Sequence, residues 1–430
     1  MMATAALCGT ARAELTAKQV KEAEALVKAC GDNDYQVRDS ATKKLIEMGM
    51  DVAPIVRKAG EASTDAEVKA RCLYVVTTLL EKAEMGPLEP AKITLDVKDK
   101  PLGDVVKELA KQSGNGELKV AGLEESKVTV KVKDMQYWQA VDEVCKSAGA
   151  YYTAKVRDGG GYDITLAAKT DQVTDAGMPT GPMSVRVGSV RRQDYRYLDL
   201  RGSGQAPPES STLGFEMQVY LEDRLPLMRI GLELTSVLTA DGVNHANPRG
   251  MGHGMARMPS GNVGGYWNMN LGWGDPAGTA QGAVTLEGTV ELSCGLQPKE
   301  LKLEKVFEKQ GIEASADGKK LTLKETKRQG DAVIVMFTLE DSSDEGTNFA
   351  QGGGAEWGIF LLDPRGKRHS SMGIMSGRSG AMAGGGMNMD GTVVFQGVAN
   401  IEGDWSLIYA YPGKVVKRSY PFTIPGVPVP

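Results

Sequence analysis

Ile93-Thr-Leu-Asp-Val-Lys-Asp99 recurs as Val128-Thr-Val-Lys-Val-Lys-Asp134, 35 residues further on, and this recurrence decides how the surrounding chain folds. The residues after each heptapeptide match as well. Leu102, Val105, Val106, Leu109 and Gly114 line up with Tyr137, Ala140, Val141, Val144 and Gly149. In each copy the apolar residues first alternate with polar ones and then fall at spacings of three and four, which is a strand entering an amphipathic helix. One such unit cannot bury its apolar face alone. Two copies, with the strand-like runs 117–120, 151–156 and 162–167, predict a single small α+β domain over 91–169.

The stretch Leu95-Asp-Val-Lys-Asp-Lys-Pro-Leu-Gly-Asp-Val-Val-Lys-Glu-Leu-Ala-Lys-Gln-Ser-Gly114 resembles the short N-terminal domain of secretins and TonB-dependent proteins. The second copy and the strand-like Tyr151–Val156 complete that pattern. The resemblance implies a protein-docking module. The chain departs from the family at Met135-Gln-Tyr-Trp138, where a Pro-Leu or Ser-Leu pair is usual. Met135, Tyr137 and Trp138 are therefore the candidate partner contacts. The competing reading is that Tyr137 packs in the core and Trp138 covers it.

On the N-terminal side, residues 14–87 read as helical. Thr16 can cap a helix that stops at Gly31, Gly49 ends a second, and Pro54 starts a third. Asp34-Tyr-Gln-Val-Arg-Asp-Ser-Ala and Asp65-Ala-Glu-Val-Lys-Ala-Arg-Cys open helices with an acidic residue and resemble HEAT repeats. So short a stack is expected to lean on a neighbour. Residues 1–13 form an apolar run closed by Ala11-Arg12-Ala13, an A-x-A cleavage pattern without its positive n-region. They are expected to be the remnant of a signal peptide, which makes the protein exported, to the periplasm or the cell surface. Export permits disulfides, and whether Cys30 and Cys72 are bridged stays open at this point. Cys145, equivalent to Ala110 of the first copy, is expected simply to pack.

Beyond 169 the expectation is a linker at 170–182 and then two antiparallel β-sandwiches, at 183–283 and 284–430, each with a Gly/Met-rich loop. Ser184–Arg191, Thr212–Leu221, Leu227–Leu238, Val284–Ser293, Ala332–Leu339, Trp357–Leu362, Thr392–Val398, Trp405–Tyr411 and Val415–Ile424 are the candidate strands. The fold class is thus multidomain α+β: a HEAT-like unit, a duplicated βαβ domain and two sandwiches. The order of parts and the terminal Tyr420-Pro-Phe-Thr-Ile-Pro-Gly-Val-Pro-Val-Pro430 resemble large exported proteins of planctomycete-type bacteria. That likeness implies no activity.

The 430 residues carry a net charge of −5 with acids and bases interspersed, and no basic stripe with aromatics speaks for nucleic acid. No apolar run reaches the roughly 20 residues of a membrane span. There is no H-E-x-x-H, G-x-S-x-G, Walker loop or zinc-spaced cysteine pair, so neither an enzyme nor a cofactor is expected. Ser40-Ala-Thr-Lys43 satisfies S-x-x-K without its partner motifs, and Asp32-Asn-Asp34 lacks the rest of a calcium loop. Met251, His253, Met255 and Met258 lie in the Gly/Met-rich run 247–282, with a second such run at 371–390. Thioether and imidazole ligands suit Cu(I). Three functions follow in order: an envelope protein that binds a protein partner through 91–169, a Cu(I)-binding exported protein, and a hydrolase with carboxylates gathered by the fold.

Overall fold

Thr16 opens the first helix of the computed structural model with a reciprocal capping box: its Oγ1 accepts from the Gln19 N–H at 3.3 Å, and Gln19 Oε1 accepts from the Thr16 N–H at 2.9 Å. The structure describes residues 16–156, 162–170, 176–195, 210–239, 242, 244, 253–254, 265–275, 282–342, 357–371, 374–381, 387–398 and 401–430. They divide into two compact units, Met1–Glu89 and Pro90–Pro430. Strands predominate, arranged in several sheets, and helices are few. The first unit holds α1 (Ala17–Ala29), α2 (Tyr35–Glu47), α3 (Ala53–Ala62) and α4 (Ala66–Met85). Asp34 and Asp65 do more than complement the helix dipole. Asp34 Oδ1 accepts from the Gln36 N–H and Asp65 Oδ1 from the Glu67 N–H, each at 2.8 Å, so both are N-caps. Leu45, Val52, Val56, Val75 and Leu79 share one core with Cys30 and Cys72, whose thiols are both free.

In the second unit the sequence duplication becomes a pseudo-twofold. Its first elements are β1 (Lys92–Pro101), α5 (Leu102–Ser113), β2 (Lys119–Ala121), β3 (Lys127–Gln136), α6 (Tyr137–Ala148), β4 (Ala150–Val156) and β5 (Tyr162–Ala168). β1 pairs antiparallel with β3, and Asp96 stands opposite Lys131, its own equivalent in the other copy. Around that point Leu95 meets Val132 and Val97 meets Val130, each the mirror of the other. The supporting hydrogen bonds are reciprocal too. The Asp99 N–H donates to Thr129 Oγ1 at 3.0 Å and the Asp134 N–H to Thr94 Oγ1 at 3.1 Å. Gln112 holds the N–H and C=O of Thr94, and Ser147 holds those of Thr129. These bonds satisfy backbone groups at the outer edges of a two-stranded ribbon, which would otherwise recruit further strands. α5 and α6 end on Gly114 and Gly149 at φ 70° and 60°, the left-handed cap that glycine adopts without steric cost. β2, β5 and β4 form a second, three-stranded sheet with β2 parallel to β5.

The rest is β6 (Gly177–Thr180), β7 (Met183–Tyr195), β8 (Ser210–Leu221), β9 (Leu227–Thr239), β10 (His253–Gly254), β11 (Tyr266–Asp275), β12 (Gly282–Glu304), β13 (Glu313–Ala316), β14 (Lys319–Gln329), β15 (Ala332–Asp341), β16 (Gly358–Leu362), β17 (Arg368–Ser370), β18 (Ile374–Ala381), β19 (Met387–Phe395) and β20 (Ser406–Val429). Three sheets result, in the orders β11-β8-β7-β6, β10-β9-β12-β20-β16-β17 and β13-β14-β15-β19-β18. β12 and β20 stay paired along their whole length, from Gly282 opposite Val429 to Glu304 opposite Ser406. The first half of β12 takes β9 on its free side, while the first half of β20 takes β16. Leu301, Leu303, Tyr409 and Tyr411 of this six-stranded sheet share a buried cluster with Leu323, Val335, Phe337 and Phe395 of the five-stranded one. Near the other end of β20, Thr180 Oγ1 of β6 donates to the Pro421 carbonyl at 2.9 Å.

Several expectations change. Trp405–Tyr411 and Val415–Ile424 are one strand, because Pro412 still stands opposite Pro298 and the ladder never breaks between them. The boundary foreseen near 283 falls where β12 begins, and the six-stranded sheet draws strands from both sides of it. Within the presumed linker 170–182, residues 177–180 are strand β6. β11, β18 and the first residues of β19 lie in runs read as loops, whereas the rest of β19 overlaps the expected strand Thr392–Val398, and β14 had no counterpart among the expected strands.

Gly288 marks the tightest point of the shared sheet, where an added methyl would run into the Glu233 carbonyl and the Phe422 ring. Gly288→Ala is expected to cost about 1–3 kcal/mol, as overpacking does. Equilibrium denaturation would read the loss, and an unchanged midpoint would contradict this packing.

Candidate functional site

The residues that most clearly depart from the duplication come together in a buried joint between the duplicated domain and the four-stranded sheet. Trp138, on the first turn of α6, is 1 % exposed and Tyr137 beside it 2 %. The Trp138 ring lies 5.2 Å from Tyr152 on β4 and 5.9 Å from Tyr220 on β8. Tyr220 continues to its cross-strand neighbour Tyr266 on β11 at 5.0 Å, and Tyr266 returns to Tyr162 on β5 at 4.8 Å. Most of these contacts are edge-on or tilted, as ring quadrupoles prefer. The Trp138 indole N–H has no hydrogen-bond partner among the described residues, so this side chain contributes through buried area.

Two carboxylates pin the same joint. Asp142, one turn along α6 from Trp138, takes a 2.8 Å hydrogen bond from the Arg186 guanidinium of β7. Arg186 also lies 4.0 Å from the centre of the Tyr152 ring, and the Tyr152 hydroxyl donates to Ser184 Oγ at 2.8 Å. Glu222 follows β8 with a fully buried side chain and reaches the other way. Its carboxylate accepts from the Ala91 N–H at 3.1 Å, from Asn115 Nδ2 at 3.3 Å and from Arg224 Nε at 2.7 Å. Burial pushes Asp142 above its ordinary 3.8 despite Arg186, and pushes Glu222 above 4.5 despite Arg224 and the other donors. Burial likewise raises the phenols, Tyr266 to about 12. Both carboxylates are paired with an arginine of the same chain, so the arrangement fastens two parts of one molecule together.

That placement corrects the partner-contact assignment. Tyr137 and Trp138 are spent on an internal contact, because a side chain this apolar on the outer face of α6 needs a cover and β8 supplies it. Met135 sits half-buried at the end of β3, packed on the core of its own domain. The partners Asp142, Arg186, Glu222 and Tyr220 were not singled out from the sequence. A signal for two of these contacts was nonetheless present. Trp138 and Asp142 correspond to Gly103 and Lys107 of the first copy, and Lys107 is 65 % exposed. A docking face is where two copies of one unit stop resembling each other.

Met251, Met255, Met258 and His245 lie outside the described residues, as does the side chain of His253, whose backbone pairs with Glu233 in β10. In the second Gly/Met-rich run, Met389 points into the core at 5 % exposure and is unavailable to a metal. His369 contacts Asp363 at 3.4 Å and stacks obliquely on Trp405. Among the described residues no group of three or more His, Cys, Asp or Glu is placed to hold a metal ion. Lys43 is paired with Asp39 at the surface, which leaves the S-x-x-K pattern a helix face. The four described thiols are buried, and burial pushes Cys72 to about 11 and Cys294 to about 12, far from a reactive thiolate.

A second polar cluster joins β12, β14, β15 and β20. Lys319 and Asp341 form a buried pair at 2.6 Å, and Asp317 Oδ2 accepts from Lys299 and from the Tyr411 hydroxyl, each at 3.0 Å. An open groove of about 360 Å³ runs past Asp317, Gly318 and Lys320. Each carboxylate here is neutralised by a lysine, so the cluster works as a pin.

Removing one side of a buried ion pair costs about 3–5 kcal/mol. Arg186→Ala and Asp142→Ala are each expected to fall in that range, with the double variant losing less than their sum in a thermodynamic cycle. Additive losses would show that the pair contributes nothing to the joint. The raised carboxyls set the sign of a pH effect. Folding keeps the Glu222 proton to higher pH than the unfolded chain does, so its contribution is intact on the acid side and falls as pH climbs above 4.5 through the raised value. Relative to Glu222→Gln, the wild type should lose stability across that rise. A gain instead would mean that the hydrogen bonds, and not burial, dominate.

No protein family, curated protein or solved structure matches this chain.

Proposed function

We propose that this chain is an exported, non-enzymatic protein of the cell envelope that binds a protein partner through a secretin-like short N-terminal domain at 91–169. A HEAT-like helical unit precedes that domain, and two antiparallel sandwiches that share β12 and β20 carry it. The A-x-A pattern at 11–13 supports export. Because the α6 face is fastened inside the molecule, the domain meets its partner through the outer face of the β1–β3 ribbon. The observation that carries the reading is the charge on that face. Lys92, Lys98, Lys127 and Lys133 are exposed and form no ion pair among the described residues, and they surround the Asp96–Lys131 pair. The duplication sets them out in equivalent couples, Lys92 with Lys127 and Lys98 with Lys133.

Lys92 and Lys98, like Lys127 and Lys133, are six residues apart and so stand roughly 20 Å from each other on one face of their strand, which spreads the positive charge along the ribbon for a ligand of matching length. Exposed pairs are worth only about 0.2–1 kcal/mol each, so the field mainly steers and orients an acidic protein surface. No aromatic side chain is interleaved with these lysines, unlike a surface on which nucleic-acid bases would stack.

Crosslinking and affinity capture from the native envelope would test this, comparing the intact protein with one in which these four lysines are replaced by glutamate. The expected result is an acidic protein retained by the wild type, released by moderate salt and absent from the variant. Equal capture by both proteins would overturn the assignment.

A further inference from the structure

Among the described residues the exposed large hydrophobic side chains are Tyr35, Val37, Leu73, Tyr74 and Leu80, all on α2 and α4 of the helical unit. Tyr35 is partly covered, with the Arg38 and Arg71 guanidinium groups each 5.7 Å from its ring centre. The α4 residues are not. Leu73 is 68 % exposed, Tyr74 59 % and Leu80 38 %. α4 carries two apolar stripes. Val68, Cys72, Val75, Val76 and Leu79 face the core of the unit. Ala66, Ala70, Leu73, Thr77 and Leu80 are all exposed and repeat at spacings of four, three, four and three. Alternating threes and fours make the seam of a helix that packs along a second helix. A lone surface helix has no use for such a second stripe, and the exposed end of a helical stack is normally polar.

We infer that α4 pairs antiparallel with α4 of a second copy of this chain. The stripe is complementary to itself about a twofold axis between Leu73 and Thr77. Turned about that point, Leu73 faces Thr77 and Leu80 faces Ala70, so each large side chain meets a small one across the seam. An isologous contact requires this match, and an arbitrary partner helix would not impose it. Antiparallel packing also sets the positive end of each helix dipole beside the negative end of the other. A helix of 20 residues is about 30 Å long, and two such faces with their flanking Tyr74 rings bury on the order of 1,000 Å², the threshold of a specific but weak interface. The dimer therefore forms reversibly and depends on protein concentration.

Sedimentation velocity of the full chain over a roughly hundredfold concentration range tests this, with wild type compared to Leu73→Glu and Ala70→Glu. Both replacements sit at exposed positions, and circular dichroism would verify that the helices remain. The expected result is a wild type that shifts from monomer to dimer and two variants that stay monomeric. In the proposed register Ala70→Glu sets a charge against Leu80 of the other copy. A wild type monomeric at every concentration would overturn the inference, leaving the stripe to a segment of the same chain or to another protein. A dimer that survives either replacement would overturn it as well.

Discussion

One hydrogen-bonded ladder holds the larger unit together: β12 and β20, paired from Gly282–Val429 to Glu304–Ser406 with one register shift, between Val284 and Leu286. An antiparallel pair this long twists along its length, so its two ends cannot present the same face to one flat partner. The chain uses each end separately. β9 extends the sheet beside the start of β12, and β16 extends it beside the start of β20. The five-stranded sheet covers Leu301, Leu303, Tyr409 and Tyr411, and β6 meets the other end of β20 at Pro421. Every sheet after residue 176 either contains this ladder or rests on it.

The duplicated domain is attached to that frame through a departure from its own symmetry. Within the domain the two copies satisfy each other bond for bond, with Thr94 and Thr129 exchanging roles about the Asp96–Lys131 centre. A symmetric pair of helices would leave α5 and α6 equally solvated. Trp138 in place of Gly103 and Asp142 in place of Lys107 make the outside of α6 a surface that must be covered, and β7 and β8 cover it. Glu222 closes the joint from the opposite direction by accepting from Ala91 and Asn115.

Local features were the legible ones. The switch of period at Pro101–Leu102 and Gln136–Tyr137, the caps at Thr16, Asp34 and Asp65, and the terminating Gly114 and Gly149 are all decided by residues within a few positions of one another. The long strands were harder to read. Pro298, Pro412 and Gly413 look like breaks, yet Pro298 and Pro412 face each other and the ladder passes through them. β11 was hidden because Asn268, Asn270, Gly272 and Gly274 dilute its apolar pattern, although Trp267, Leu271 and Trp273 are buried. The joint was half legible. Trp138 stood out as bulky, but its partner Tyr220 lies on a strand whose pairing is set far along the chain, and no local pattern ties the two together.

If β12 and β20 form a single ladder, their two halves should protect each other from opening. Native-state hydrogen exchange on β20 tests this most directly, by comparing the amides of Leu407–Tyr411 with those of Tyr420–Ile424. The account predicts that both groups exchange through one opening event with the same free energy and the same denaturant dependence. Independent opening, with Tyr420–Ile424 exchanging well before Leu407–Tyr411, would contradict it and restore two separate sandwiches that happen to share a continuous chain.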